Sequence, residues 1–122
     1  MSKSRKGLGR LGEELAARKL EAMGYHIHER NWRCPLGEVD IVAKDGDVLA
    51  FVEVKTRRGR QFGTPEEAIT PAKQTKLIDL AATYVQENDW PGDWRIDVAA
   101  VELTSGGKLL RLNIIKNAVG EC

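Results

Sequence analysis

Two strand-like segments joined by Asp45-Gly46 constrain the fold of this chain more than any other feature of the sequence. They cover residues 38–43 and 47–55, and apolar residues recur at every second position in both. An Asp-Gly pair between two such runs is a strong short-range indication of a β-hairpin. We therefore expect a hairpin with Asp45 and Gly46 as its two loop residues.

The predicted hairpin separates its apolar residues from its charged ones, because side chains alternate between the two faces of a strand. In this register Glu38 lies opposite Glu53, and Asp40 lies opposite Phe51. Asp40 and Glu53 are then diagonal neighbours about 7–8 Å apart, with Lys55 beside Glu53 on the same face. The opposite face is expected to be core and carries Val39, Ile41, Ala43, Val48, Ala50, Val52 and Val54.

The carboxylates and the lysine at this end of the hairpin favour a divalent cation. Like charges this close disfavour joint ionisation, and Mg²⁺ is commonly held by one or two carboxylates, waters and a substrate phosphate. We expect Asp40 and Glu53 to bind Mg²⁺ (or Mn²⁺), with Glu38 as a further ligand or an orienting acid. Lys55 would stabilise a scissile phosphate or position water. The alternative is an edge hairpin whose polar face is solvated.

The patterns on either side of the hairpin predict an α/β fold, a mixed sheet flanked by helices. The first helix should bury Leu11, Leu15 and Met23 and end at Gly24. The remaining elements are a strand over 25–30, a helix that begins at Thr64-Pro65 or Thr70-Pro71 and continues to Glu87, and strands over 94–103 and 109–115.

Length and charge limit the classes of protein to consider. The chain has 122 residues, a length typical of one domain, and residues 1–7 are expected to be a flexible basic tail. No run of about 18 apolar residues predicts a membrane span, and no apolar stretch predicts a secretory signal. Two distant cysteines predict neither a disulfide framework nor a metal site, so a reducing cytoplasm is expected. The net charge of +1 excludes a strongly basic coat.

Basic residues are nevertheless clustered where they could contact phosphates. Arg10 belongs to a basic run at the start of the chain, and Arg57, Arg58 and Arg60 follow Lys55 in what we expect to be a loop leaving the site. Lys73 and Gln74 fall on the first turns of the second helix, whose N-terminus attracts anions. The alternative for these charges is a solvated surface.

Other residues allow two interpretations. His26 and His28 could bind zinc, but no further ligand is suitably spaced, so ordinary histidines are favoured. Trp32 could stack on an unpaired base, although a packing role is more common. No role can be assigned to Asp97 from the sequence.

The segments 37–43 and 51–57 resemble the motif region of the PD-(D/E)XK nuclease superfamily. Together with 9–13, 30–33, 62–63 and 95–98, they resemble more closely the small bacterial YraN-like family of endonuclease-like proteins. The resemblance covers nearly the whole chain. It implies an α-β-β-β-α-β core of restriction-endonuclease type and a likeness to archaeal Holliday-junction resolvases.

Carried onto this chain, the resemblance makes Asp40 the motif aspartate, Glu53 the motif acid and Lys55 the motif lysine. It also makes Glu13, on the first helix, an acid that completes the metal site. Val39 stands where the superfamily often has proline. Gln74 is also favoured by the analogy.

The function we expect is a metal-dependent endonuclease that hydrolyses phosphodiester bonds, with DNA favoured over RNA as the substrate and branched or damaged structures as candidate forms of it. A homodimer is expected by analogy with junction-cutting relatives. One alternative is a nucleic-acid-binding module of the same fold without turnover. Another is a protein-interaction adaptor that uses the acidic stretch 79–97.

Overall fold

The computed structural model describes residues 2–59 and 63–119, which form five strands between two helices. This confirms the predicted α/β class and the order of helix, three strands, helix and strand, followed by a last strand. The elements are α1 (Ser2–Ala22), β1 (His26–Cys34), β2 (Gly37–Asp45), β3 (Val48–Arg58), α2 (Pro71–Glu87), β4 (Trp94–Leu103) and β5 (Leu109–Ile115).

The five strands form one mixed sheet in the order β1-β2-β3-β4-β5. Neighbouring strands are antiparallel except β3 and β4, which are parallel and are connected through α2. A parallel pair needs a crossover connection of this kind, because its strands begin at the same edge of the sheet. The hairpin β2–β3 is therefore central, and the alternative of an edge hairpin with a solvated face is wrong.

Both faces of the hairpin are covered by a helix. On one face, Ile41, Ala43, Ala50 and Val52 pack with Ala16, Ala17 and Leu20 of α1. On the other, Val42, Leu49 and Phe51 pack with Leu77, Leu80, Ala81 and Tyr84 of α2. Trp32 packs against this second cluster, with its ring 5.1 Å from that of Tyr84. The packing interpretation of Trp32 is confirmed.

The hairpin turn differs from the predicted one by one position. Asp45 pairs with Val48, so Gly46 and Asp47 form the loop. Gly46 has φ +62, and glycine adopts positive φ at the first central position of a hairpin turn without strain. Each residue of β2 therefore pairs two positions further along β3 than predicted. A shift of two leaves the alternation of faces unchanged.

The buried side of α1 is not the predicted one. Leu11 and Met23 are 40% and 41% exposed, whereas Ala16, Ala17 and Leu20 are buried. Small residues face the sheet because the helix lies close to β3. At Gly12, an added Cβ would overlap the side chain of Thr56.

The ends of the helices follow the capping chemistry of the sequence. Gly24 has φ +97, and the N–H groups of Gly24 and Tyr25 close the end of α1 on Glu21 and Leu20 in a Schellman arrangement. At the other end, the backbone is helical from Ser2 onward. The expected flexibility of the basic tail over 1–7 stays a prediction.

The second helix begins at the later of its two predicted starts. Thr64 and Glu67 do form a reciprocal capping box, but it encloses only one 3₁₀ turn over Glu66–Ala68. Thr70 is extended because it precedes Pro71, and its hydroxyl then accepts the N–H of Lys73 to cap α2.

Candidate active site

A cleft of about 730 Å³ opens between the first half of α1 and the second half of β3. Acidic residues from three elements and basic residues of β3 meet in it. Its lining residues are Leu8, Gly9, Glu13, Asp40, Glu53, Val54, Lys55, Thr56, Arg57, Arg58 and Gly59. The three predicted catalytic residues and the helix acid Glu13 therefore share one cleft.

Asp40 lies where β2 and β3 separate. The last pair of the register is Ile41 with Val52, and beyond it the N–H of Val54 donates to Oδ2 of Asp40 at 2.8 Å. Burial raises the pKa of Asp40 to about 8, with the charge of Glu53 as the next largest cause. In the metal-free protein, this carboxyl is therefore mostly protonated at neutral pH.

The side-chain alternation of β2 is interrupted at Asp40. Val39 packs in the cluster on the α2 side, whereas Ile41 packs on the α1 side. Two residues that are two positions apart should share a face. The prediction that Val39 and Ile41 lie on one face is therefore wrong, and the irregularity coincides with the half-buried Asp40.

Glu53 is buried and is neutralised from two directions. Its side chain is 5% exposed, and its Oε2 lies 3.5 Å from Nζ of Lys55 and 3.3 Å from Nζ of Lys73. Lys55 follows on the same strand, whereas Lys73 reaches the carboxylate from α2. The positive charges of two lysines thus meet at the carboxylate of Glu53.

Asn31 connects Glu13 to Glu38, and the carboxyl of Glu13 also shares a hydrogen bond with Asp40. With its amide nitrogen turned toward them, Asn31 donates to Oε1 of Glu13 at 3.2 Å and to Oε2 of Glu38 at 2.9 Å. Burial raises the pKa of Glu13, and Glu38 adds to the increase. Glu38 also lies 3.8 Å from Nε of Arg33. The predicted position of Glu38 opposite Glu53 is wrong because the hairpin register is shifted.

The basic side of the cleft belongs to β3 and not to a loop. Strand β3 pairs with β4 as far as Arg58, so Arg57 and Arg58 lie on the strand, which corrects the predicted loop. Nη1 of Arg57 donates to the carbonyl of Thr56 at 3.1 Å, while its buried Nε has no hydrogen-bond partner among the described residues. Arg58 is exposed. Two guanidinium groups are thus available beside Lys55.

Comparison with known proteins identifies the family. The model of the uncharacterised protein family UPF0102 matches residues 12–101, which contain Glu13, Asp40, Glu53 and Lys55. The chain belongs to the UPF0102 family. A UPF0102 protein of Caldicellulosiruptor saccharolyticus is 47% identical over 94% of this chain and 98% of its own length. A UPF0102 protein of Symbiobacterium thermophilum is 50% identical over 91% of this chain and 94% of its own. UPF0102 membership agrees with the YraN-like resemblance.

The cleft of this UPF0102 chain fits a divalent ion held by two carboxylates. Asp40 is half-buried and Glu53 is buried, and their carboxylates repel each other and offer the oxygen donors that Mg²⁺ and Mn²⁺ prefer. Within residues 2–59 and 63–119, no three Asp, Glu, His or Cys side chains are grouped so that they could hold a metal ion together. The roles of Glu13 and Glu38 as further ligands stay predictions.

The predicted phosphate-contacting residues have different surroundings. Lys73 contacts Glu53, although it does not line the cleft. The side chain of Gln74 donates to the carbonyl of Ile69 at 3.4 Å and so closes the start of α2. Arg10 is exposed on α1 and does not line the cleft. Arg60 lies outside the described residues.

Sequence reasoning missed Asn31 and the contact of Lys73 with Glu53. Asn31 has φ +57, a conformation that asparagine tolerates better than most residues, but no motif marks such a position in a strand.

His26 and His28 are both exposed, as the favoured interpretation required. No helix of the described part of this chain has the length and apolar character needed to cross a membrane.

Proposed function

We propose that this UPF0102 protein is a metal-dependent endonuclease that hydrolyses phosphodiester bonds in DNA. The observation that carries the proposal is the pair of acids, half-buried Asp40 and buried Glu53, next to Lys55, in a cleft bordered by Arg57 and Arg58. Two desolvated carboxylates repel each other, and a divalent ion relieves that repulsion. Perturbed acids in a cleft are the usual mark of a functional site.

The residues of the cleft have separable roles in this proposal. Asp40 and Glu53 would hold Mg²⁺ or Mn²⁺, which supplies Lewis acidity toward the phosphate and a more acidic water. Val54 keeps Oδ2 of Asp40 in place through its N–H. Hydrolysis joins a water oxygen to phosphorus, moves one water proton to a base, and gives a proton to the departing sugar oxygen. The ammonium of Lys55 would stabilise the charge that develops on the phosphate.

The substrate class follows from the charges around the cleft. Arg57 and Arg58 are positioned to bind a phosphate backbone, a contact that orients nucleic acid without reading its sequence. The preference for DNA, and for branched or damaged forms, rests on the resemblance to the nuclease superfamily. The experiment must therefore compare substrates of different shape.

A second copy of the chain is part of the proposal, since two cuts in a junction need two sites. Strand β5 is the edge of the sheet, and Leu109 and Leu110 on it are exposed. An apolar edge strand is a surface with which another strand can pair. Leu110→Lys should therefore convert a dimer into a monomer in light scattering, and an already monomeric parent would refute this part.

The alternative is a nucleic-acid-binding protein of the same fold without turnover. One observation favours it: without metal, no negative charge of Asp40 and Glu53 is left uncompensated, because Asp40 keeps its proton and two lysines contact Glu53. Such a site is stable as it stands. Activity therefore decides between the two functions.

The test is cleavage of labelled duplex, single strand, flap, four-way junction and RNA, each with Mg²⁺, Mn²⁺ or chelator. Asp40→Asn is run beside the parent, and Asp79→Asn, an exposed acid on α2, is the control. We expect metal-dependent cutting that is lost only in Asp40→Asn. Cutting that survives in Asp40→Asn would refute the site. Metal-independent binding without cutting would favour the alternative.

A further inference from the structure

Lys73 reaches Glu53 from a different element than the predicted catalytic residues. It lies in the first turn of α2, where its N–H is fixed by the hydroxyl of Thr70. Its ammonium lies 3.3 Å from Oε2 of Glu53, which is closer than that of Lys55. The crossover helix thus provides a positive charge for an acid of the central strand.

The contact differs from an ordinary surface ion pair. Glu53 is buried, so its charge depends on nearby cations, whereas the side chain of Lys73 is 31% exposed and keeps freedom to move. The side chain of Lys55 is similarly exposed, at 28%, but Lys55 lines the cleft with Asp40 and Glu53, whereas Lys73 reaches Glu53 from α2. Of the two lysines, Lys73 is therefore the one whose departure leaves the lining of the cleft unchanged.

A divalent ion and Lys73 compete for Glu53. Both ammonium groups contact the same oxygen, Oε2, and a doubly charged ion bound between Asp40 and Glu53 would repel them strongly in a buried site. Lys73 relieves this repulsion by moving away from the carboxylate. The neighbouring arginines are also cationic, so the group best suited to receive it is an incoming phosphate.

We propose that Lys73 is a displaceable counter-ion, which holds Glu53 in the metal-free protein and transfers to a substrate phosphate when the divalent ion binds. This rests on the proposed nuclease function and deepens it. Metal and nucleic acid then bind cooperatively, because each removes Lys73 from the position that opposes the other. By linkage, the effect of metal on nucleic-acid affinity equals the effect of nucleic acid on metal affinity.

The test measures Mn²⁺ binding by titration calorimetry in the full chain without nucleic acid. Lys73→Gln should bind Mn²⁺ about fivefold more tightly than the parent or better, the lower end of typical couplings between sites. Lys73→Arg, which keeps the charge, should resemble the parent. Lys76→Gln is the matched control, because Lys76 is exposed on the same helix and makes no ion pair with any described residue.

A second measurement tests the coupling itself. Anisotropy of a labelled duplex, with Ca²⁺ and with chelator, should show that metal tightens nucleic-acid binding in the parent and in Lys76→Gln. In Lys73→Gln, the ratio of the affinities measured with Ca²⁺ and with chelator should be several-fold smaller. Circular dichroism and melting establish that each variant is folded.

The outcomes separate this inference from the proposed function. Mn²⁺ binding that is unchanged or weaker in Lys73→Gln would overturn the counter-ion role and leave the nuclease proposal standing. Failure of the parent and of every variant to bind Mn²⁺ would overturn both. Tighter binding in Lys76→Gln as well would reduce the effect to general surface charge and also overturn the inference.

Discussion

The N–H of Val54 donates a 2.8 Å hydrogen bond to Oδ2 of Asp40 at the point where the two central strands separate. The bond favours the ionised carboxylate, but burial and the charge of Glu53 outweigh it, and the pKa of Asp40 rises to about 8. Asp40 is thus held in place by the backbone while its charge is suppressed.

The raised pKa predicts how stability depends on pH in the absence of metal. From about pH 4 to about pH 8, the unfolded chain has lost the proton of Asp40 while the folded chain retains it. The free energy of unfolding therefore falls as pH rises through this window. Asp40→Asn keeps an acceptor for Val54 but cannot ionise, so its profile should be flatter. Between pH 5 and pH 8, the free energy of unfolding of Asp40→Asn should therefore rise by at least about 1 kcal/mol relative to that of the parent.

Urea unfolding in chelator at the two pH values measures this difference. Asp79→Asn, at an exposed acid, should follow the parent at both. Parallel profiles for Asp40→Asn and the parent would contradict the buried, protonated state of Asp40.

Divalent ions should stabilise the parent and not Asp40→Asn. An ion that binds only the folded chain adds about 2.7 kcal/mol at one hundred times its Kd. The melting temperature of the parent and of Asp79→Asn should therefore rise with Mg²⁺ or Mn²⁺. An equal rise in Asp40→Asn would place the bound ion elsewhere on the molecule.

Gly12 should tolerate no side chain, because α1 lies against β3 at that position. A methyl group there would overlap Thr56, so Gly12→Ala should lower the free energy of unfolding by about 1–3 kcal/mol despite the better helix propensity of alanine. Gly9→Ala is the control on the same helix, as no atom lies within 4 Å of an added Cβ. It should be neutral or stabilising. Equal effects of the two changes would refute the close approach.

The hairpin and the first helix show what local sequence signals can and cannot predict. The apolar alternation and the Asp-Gly loop are local signals, and they suffice for the hairpin and for the fold class. The exact loop is not determined, because Asp45-Gly46 and Gly46-Asp47 both satisfy the pattern and differ only in which position takes positive φ. The buried side of α1 is missed because alanine and glycine face the sheet while Leu11 stays exposed.

The candidate site was predictable only in part, for a related reason. Asp40, Glu53 and Lys55 lie on one hairpin, so local geometry brings them together. Lys73 meets Glu53 only because a crossover helix returns over the sheet, and residue spacing does not encode that contact. Resemblance, not periodicity, indicated Glu13.

Asp97 is another buried acid that the sequence could not explain, and it should be essential for stability. It is fully buried and accepts hydrogen bonds from Tyr25 at 2.9 Å, from Arg95 at 2.8 Å and from the N–H of Asn117 at 2.9 Å. Asp97→Ala would leave the hydroxyl of Tyr25 and the N–H of Asn117 without their acceptor and Arg95 with Asp45 as its remaining acid, so it should cost about 3 kcal/mol or more in urea unfolding. Asp93→Ala, at an exposed acid, should cost little. Comparable losses of unfolding free energy in Asp97→Ala and Asp93→Ala would contradict the stabilising role of Asp97.

Arg58 should contribute to nucleic-acid affinity through phosphate alone. It is exposed at the cleft, so Arg58→Gln should weaken binding to all sequences similarly. The slope of log affinity against log salt should fall by about 0.9, the value for one phosphate contact on duplex DNA. Lys19→Gln removes the same charge from the exposed surface near the far end of α1 and should leave the slope unchanged. An equal decrease for both variants in anisotropy titrations would mean that net charge, and not the cleft, governs binding.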